Sequence, residues 1–107
     1  MISKRTIHKY QVAGSHIRIR EPIEKFLTVQ LQRGITTVWA IVNPEIKEKD
    51  YLLYKVGTGW PLDGVYGNYL GTVQDWDNQV WHVFAGVAKE NPNAESWDYY
   101  REVINVN

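Results

Sequence analysis

Between Phe26 and Gln32, Leu27, Val29 and Leu31 alternate with Thr28, Gln30 and Gln32, the period of two that gives a strand one buried face. Arg33-Gly34 follows as a turn. Thr36 to Val42 is then apolar on both faces, rich in Val and Ile and carrying Trp39, as a central strand requires, and Asn43-Pro44 ends it. Upstream, Thr6 to Val12 and His16 to Arg20 flank Ala13-Gly14-Ser15, a turn-rich link that predicts another hairpin. Within the second of these strands Ile17 and Ile19 point one way and His16, Arg18 and Arg20 the other, so one face is cationic.

Glu45 to Asp50 reads as a solvated loop, and Tyr51 to Val56 resumes a strand with Leu52, Tyr54 and Val56 on one side. Gly57, Gly59, Gly64 and Gly67 then mark an irregular loop that also holds Trp60, Pro61 and Asp63. Tyr69 to Gln74, the turn Asp75-Trp76-Asp77-Asn78, and Gln79 to Val87 form a further hairpin. In the tail, Trp97, Tyr100 and Ile104 fall at helical spacing, which predicts a helix over 94–105. The fold expected is mostly β: one domain spanning 1–107, an antiparallel β-sandwich or partly open β-barrel with its β core at about 5–87 and a short C-terminal helix.

Length and composition agree, since 107 residues of which 44% are hydrophobic suit one globular domain. The absence of cysteine excludes a disulfide scaffold, a thiolate nucleophile and a Cys-ligated zinc. No apolar run approaches the roughly 20 residues that span a bilayer, and Ile2 to Arg5 begin no signal peptide. A cytoplasmic protein without membrane contact is therefore expected. The net charge of zero conceals a division: residues 1–33 hold seven basic and two acidic side chains, a net of +5, and residues 34–107 hold five basic and ten acidic, a net of −5. That balance argues against a partner made of long nucleic acid, whose affinity grows with the number of phosphates neutralised.

Motifs for chemistry are sparse. Gly57-Thr58-Gly59 lacks the Lys and the following helix of a phosphate loop and reads as a tight turn. Asp75, Asp77 and Asn78 lack the remaining positions of a calcium loop and read as a solvated turn. The histidines His8, His16 and His82 show no metal or acid-base spacing, and His82 reads as a semi-buried imidazole. No catalytic residue, metal ligand or cofactor is expected. Trp39, Trp81, Phe26 and Phe84 lie on strands and suit a core. Trp60, Tyr66, Tyr69 and Trp76 fall in or beside loops, where a rigid ring either anchors the loop or contacts a ligand or partner.

Five segments in order, Phe26 to Gln30, Trp39-Ala40-Ile41-Val42-Asn43-Pro44, Gly57-Thr58-Gly59-Trp60-Pro61, Tyr69-Leu70-Gly71-Thr72-Val73 and Val80-Trp81-His82-Val83-Phe84, resemble a family of small uncharacterised phage and bacterial proteins, a domain of unknown function. The likeness runs from about Lys9 to Phe84 and leaves out the tail from Ala88. It implies a phage-type accessory protein acting in the host cytoplasm, with a counter-defence role, and brings no catalytic residues. The function expected is non-catalytic sequestration of a small anionic, nucleotide-like ligand. Trp60, Tyr66, Tyr69 and Trp76 would supply stacking, and Arg18 and Arg20 would bind the anion. The alternative is a protein-interaction module that inhibits or adapts a host protein through the same aromatics; a small enzyme of unknown reaction ranks third. Edge strands and surplus aromatics leave room for a homo-oligomer.

Overall fold

The computed structural model describes residues 4–62 and 67–88, and the backbone of Val103–Ile104. Seven strands follow one another: β1 (Thr6–Val12), β2 (His16–Glu21), β3 (Ile23–Gln32), β4 (Ile35–Val42), β5 (Lys49–Gly57), β6 (Asn68–Gln74) and β7 (Val80–Ala88). A two-residue strand, β8 (Val103–Ile104), adds to β7. All pairings are antiparallel. Sheet A has the order β1-β4-β3, and sheet B the order β2-β5-β7-β6, with β8 beside β7 where β6 ends. The two sheets face each other as an open β-sandwich. Of the helix expected over 94–105, all but Val103 and Ile104 lies outside the described residues, and those two are extended.

The core follows from strand parity. Val12, Val29 and Val38 of sheet A meet Leu53, Val73, Val83 and Ala85 of sheet B in one buried cluster. A second cluster joins Ile23, Ala40 and Val42 to Tyr51, with Phe26 edge-on to the Tyr51 ring at 5.5 Å. Ile17 and Ile19 pack against this interior from β2, so His16, Arg18 and Arg20 face outward as their alternation requires.

Three expectations change. The link Ala13-Gly14-Ser15 does not close a hairpin: β1 pairs with β4 in sheet A and β2 with β5 in sheet B, so the link crosses between sheets. It is held there by the Lys55 N–H donating to the Ser15 carbonyl at 2.9 Å. The alternation of β3 is broken by a bulge between Phe26 and Thr28, which turns Phe26 inward and leaves Leu27 exposed. Trp39 and Phe84, both expected in the core, lie on outer faces: Trp39 lines a shallow hollow on sheet A with Ile7, Leu27, Thr28 and Gln30, and Phe84 stands on the outer face of sheet B opposite Tyr54 and Tyr69. The β3–β4 hairpin forms as expected. Its two-residue loop has φ of 52° at Arg33 and 82° at Gly34, the paired positive values that match the twist of antiparallel strands.

Candidate functional site

On the outer face of sheet B, register sets the side chains in rows. Tyr54 of β5 pairs with Phe84 of β7, which pairs with Tyr69 of β6; one step along, Val56 pairs with His82, which pairs with Thr72. The first row is a run of rings, with Tyr54 stacked on Phe84 at 5.5 Å and Tyr69 edge-on to Phe84 at 5.7 Å. Beyond β5 the chain turns at the end of sheet B. The Trp60 N–H donates to the Gly57 carbonyl at 3.0 Å, and the Trp60 ring lies so close to Gly57 that a Cβ there would sit 2.8 Å from it. Glycine is what lets the indole settle on the strand. Trp60 also meets Trp81 edge-on at 5.3 Å.

The result is a pocket of about 320 Å³, walled by Trp60, Leu62, Tyr69, Phe84 and Val56 and floored by Gly57, Thr58, Gly59 and His82. Trp60 is 54% exposed, Leu62 43% and Tyr69 59%, so the wall is open to solvent on its rim. The size and the mixture of rings with a few polar groups suit a small molecule.

A hydrogen-bonded chain runs along the pocket. The Tyr69 hydroxyl bonds the Thr72 hydroxyl at 2.5 Å, Thr72 Oγ1 bonds His82 Nδ1 at 3.0 Å, and His82 Nε2 bonds Thr58 Oγ1 at 2.8 Å. Both imidazole nitrogens are thus engaged by threonines from different segments. Behind the pocket, burial pushes the Tyr54 hydroxyl up to about 12, which keeps it protonated.

Asp75 ties the neighbouring hairpin end together. Asp75 accepts from the N–H groups of Asp77 and Gln79 and, at 2.9 Å, from the Trp81 indole. The indole bond is the main reason its carboxyl lies below the usual range. The Lys55 ammonium sits 4.8 Å from the centre of the Trp81 ring, and burial lowers its pKa.

Of the residues singled out from sequence, Trp60 and Tyr69 meet in the pocket. Trp76 stands on the β6–β7 loop, 76% exposed, with its ring against Gly34 of the β3–β4 turn. Tyr66 lies outside the described residues. Arg18 and Arg20 share the outer face of sheet B but sit on the opposite edge strand, three strands from Tyr69 and so at least about 14 Å away at the usual spacing. There Arg18 bonds Asp50 at 2.9 Å, and Arg20 bonds Glu48 at 2.9 Å and Asp50 at 3.1 Å. The hydrogen bond from Arg18 is the chief cause that holds the Asp50 carboxyl low.

Sequence reasoning missed Thr58, Thr72, Leu62 and Phe84 as pocket or relay residues and found no partner for His82. The sequence offered no signal for the pair of His82 and Thr72: a turn over Asp75 to Asn78 sets Thr72 opposite Trp81, and only the observed register brings it to His82.

A family model described as Domain of unknown function (DUF7352) matches residues 3–94. The chain belongs to this family. No curated protein and no solved structure matches it. The DUF7352 match takes in β1 to β7 and every pocket residue named above. It also extends beyond Phe84, where the likeness of the motifs had stopped, and takes in the start of the tail that the likeness left out.

Proposed function

We propose that this DUF7352 protein is a non-catalytic binding protein that holds a small nucleotide-like molecule by its ring, in the pocket at the Gly57 end of sheet B. The observation that carries the proposal is the enclosure of about 320 Å³ between Trp60, Leu62, Tyr69 and Phe84, with hydroxyl and imidazole groups on its floor. Aromatic walls favour a flat, polarisable guest, and the few polar groups orient it. None of the described lining residues is Lys or Arg, so what this pocket recognises is the ring rather than the anionic end. The non-catalytic reading draws on His82, whose two nitrogens bond threonine hydroxyls rather than a carboxylate.

In a phage-encoded accessory protein, the setting that the motif resemblance implies, sequestering a nucleotide-derived signal in the host cytoplasm would serve counter-defence. Thermal-shift measurements against nucleosides, nucleotides and signalling dinucleotides test the binding directly. At about a hundredfold excess over Kd a true ligand adds about 2.7 kcal/mol, which raises Tm by about 10–20 °C in a domain of this size. Trp60→Ala and Tyr69→Ala should remove that rise while the protein stays folded. If no compound moves Tm at millimolar concentration, the proposal is wrong.

A second reading, a protein-interaction module, is favoured by Trp76, whose ring stands mostly in solvent at a loop tip. A host protein recovered at one-to-one stoichiometry by wild type and lost by Trp76→Ala would favour it over the small ligand.

A further inference from the structure

A second cavity adjoins the pocket at the Gly57 end of sheet B. It encloses about 450 Å³ between the turn at Gly57, Thr58 and Trp60 and the β6–β7 hairpin end from Asn78 to Trp81. Gly57, Thr58 and Trp60 line the first pocket as well, so the two cavities meet at a shared wall. Along the outer face of β7 they follow one another: Phe84 and His82 line the first and Val80 the second, and strand geometry sets such alternate side chains about 7 Å apart. Each cavity also has rings of its own, Tyr69 and Phe84 in the first and Trp81 in the second, with the Trp60 indole common to both. The second adds the carboxamides of Asn78 and Gln79, which offer both donors and acceptors to the edge of a base.

Charge narrows the ligand further. Among the described residues no Lys or Arg lines either cavity. Trp81 has one charge of each sign against it, the Lys55 ammonium 4.8 Å from the ring centre and the Asp75 carboxylate accepting from its indole N–H at 2.9 Å, and these oppose one another. A terminal phosphate brings a charge of about −1.5 to −2 for a single ring, whereas one phosphodiester brings a single charge for two rings. Resting on the ring-binding reading above, we propose that the two cavities are halves of one dinucleotide site, taking two nucleobases joined by a single phosphodiester, one base in each cavity against the shared Trp60 wall. Successive bases held by successive aromatic side chains are the usual way in which single strands are bound, and the link makes capture of the second base intramolecular.

Isothermal titration calorimetry with the common ribonucleosides, their 5′-monophosphates and the matching linear homodinucleotides tests this. For at least one base the dinucleotide should bind one-to-one and about tenfold or more tighter than the nucleoside or the monophosphate. Val80→Phe fills the second cavity and leaves the residues of the first unchanged, so the dinucleotide should fall to the affinity of its nucleoside while the nucleoside keeps its own. Gln79→Ala, which only shortens an exposed side chain, should weaken the dinucleotide several-fold and leave the nucleoside untouched; it decides the matter where Val80→Phe does not fold. A dinucleotide no tighter than its nucleoside would overturn the proposal and leave the ring-binding reading standing. A monophosphate as tight as the dinucleotide would also overturn it, since the phosphate and not the second base would then supply the gain, as would a dinucleotide advantage unchanged in both variants. If no compound of the three kinds binds at millimolar concentration, the dinucleotide site falls together with the ring-binding reading.

Discussion

Replacing Gly57 by alanine puts a methyl group 2.8 Å from Cε2 and 2.9 Å from Nε1 of Trp60, closer than two carbon or nitrogen atoms can approach, so the indole must leave. Gly57 lies within β5 opposite Trp81 and has no positive φ, so alanine is compatible with the backbone and the strand pairing stays. The damage is then confined to Trp60. It forfeits the edge contact with Trp81, worth about 0.5–1.5 kcal/mol, while alanine narrows the unfolded ensemble and returns about 0.4–1 kcal/mol. The two nearly cancel, and Tm should move by no more than about 8 °C. Binding should behave differently, because Trp60 is a pocket wall: the Tm rise from any nucleoside that stabilises wild type should vanish. Differential scanning fluorimetry gives both quantities, and the Trp60 indole NMR signal shows whether the ring has moved. Unchanged ligand response with a displaced Trp60 would refute the role given to this wall; a fall in Tm beyond about 15 °C would show that Trp60 holds the sandwich together.

Gly67→Ala should be far more disruptive, since its Cβ would lie 2.3 Å from the Ala85 carbonyl oxygen, a backbone atom that cannot swing away; chemical denaturation should show a loss of about 3 kcal/mol. Leu53→Ala removes a fully buried side chain between the sheets and should lower unfolding free energy by about 2–5 kcal/mol. Asp50→Asn should cost about 0.5–1 kcal/mol at neutral pH. The Asp50 carboxyl is held below its ordinary pKa by Arg18 first and also by Arg20. Its contribution is therefore present above the unfolded Asp range and lost as pH falls through the lower folded value, so the stability gap between variant and wild type should shrink as pH falls below the ordinary Asp range.

How far the sequence could be read differs between elements. Strand positions were legible because alternation is local, and β1 begins and ends where its pattern predicts. Neighbours were legible only where a tight turn joined them. Arg33-Gly34 makes β3–β4 a hairpin, whereas Ala13-Gly14-Ser15 carries the chain from one sheet to the other. The relay depended on one residue of register. A four-residue turn over Asp75 to Asn78 would set Thr72 opposite Trp81, on the wrong face. Instead Asn78 adopts φ 64°, Asp75 bonds the Gln79 backbone, and Thr72 comes opposite His82.

The clustering of charge was similarly visible but not its use. Arg18 and Arg20 were identifiable as a cationic face, and Asp50 and Glu48, some thirty residues on, take them up only because β2 pairs with β5. Composition and periodicity by themselves determined that this chain makes a cysteine-free, mostly β protein with rings in its loops. Tertiary structure decided which rings meet, which charges cancel and which hydroxyls flank His82. Strand pairing is non-local, and a shift of one residue exchanges the two faces of every strand it touches.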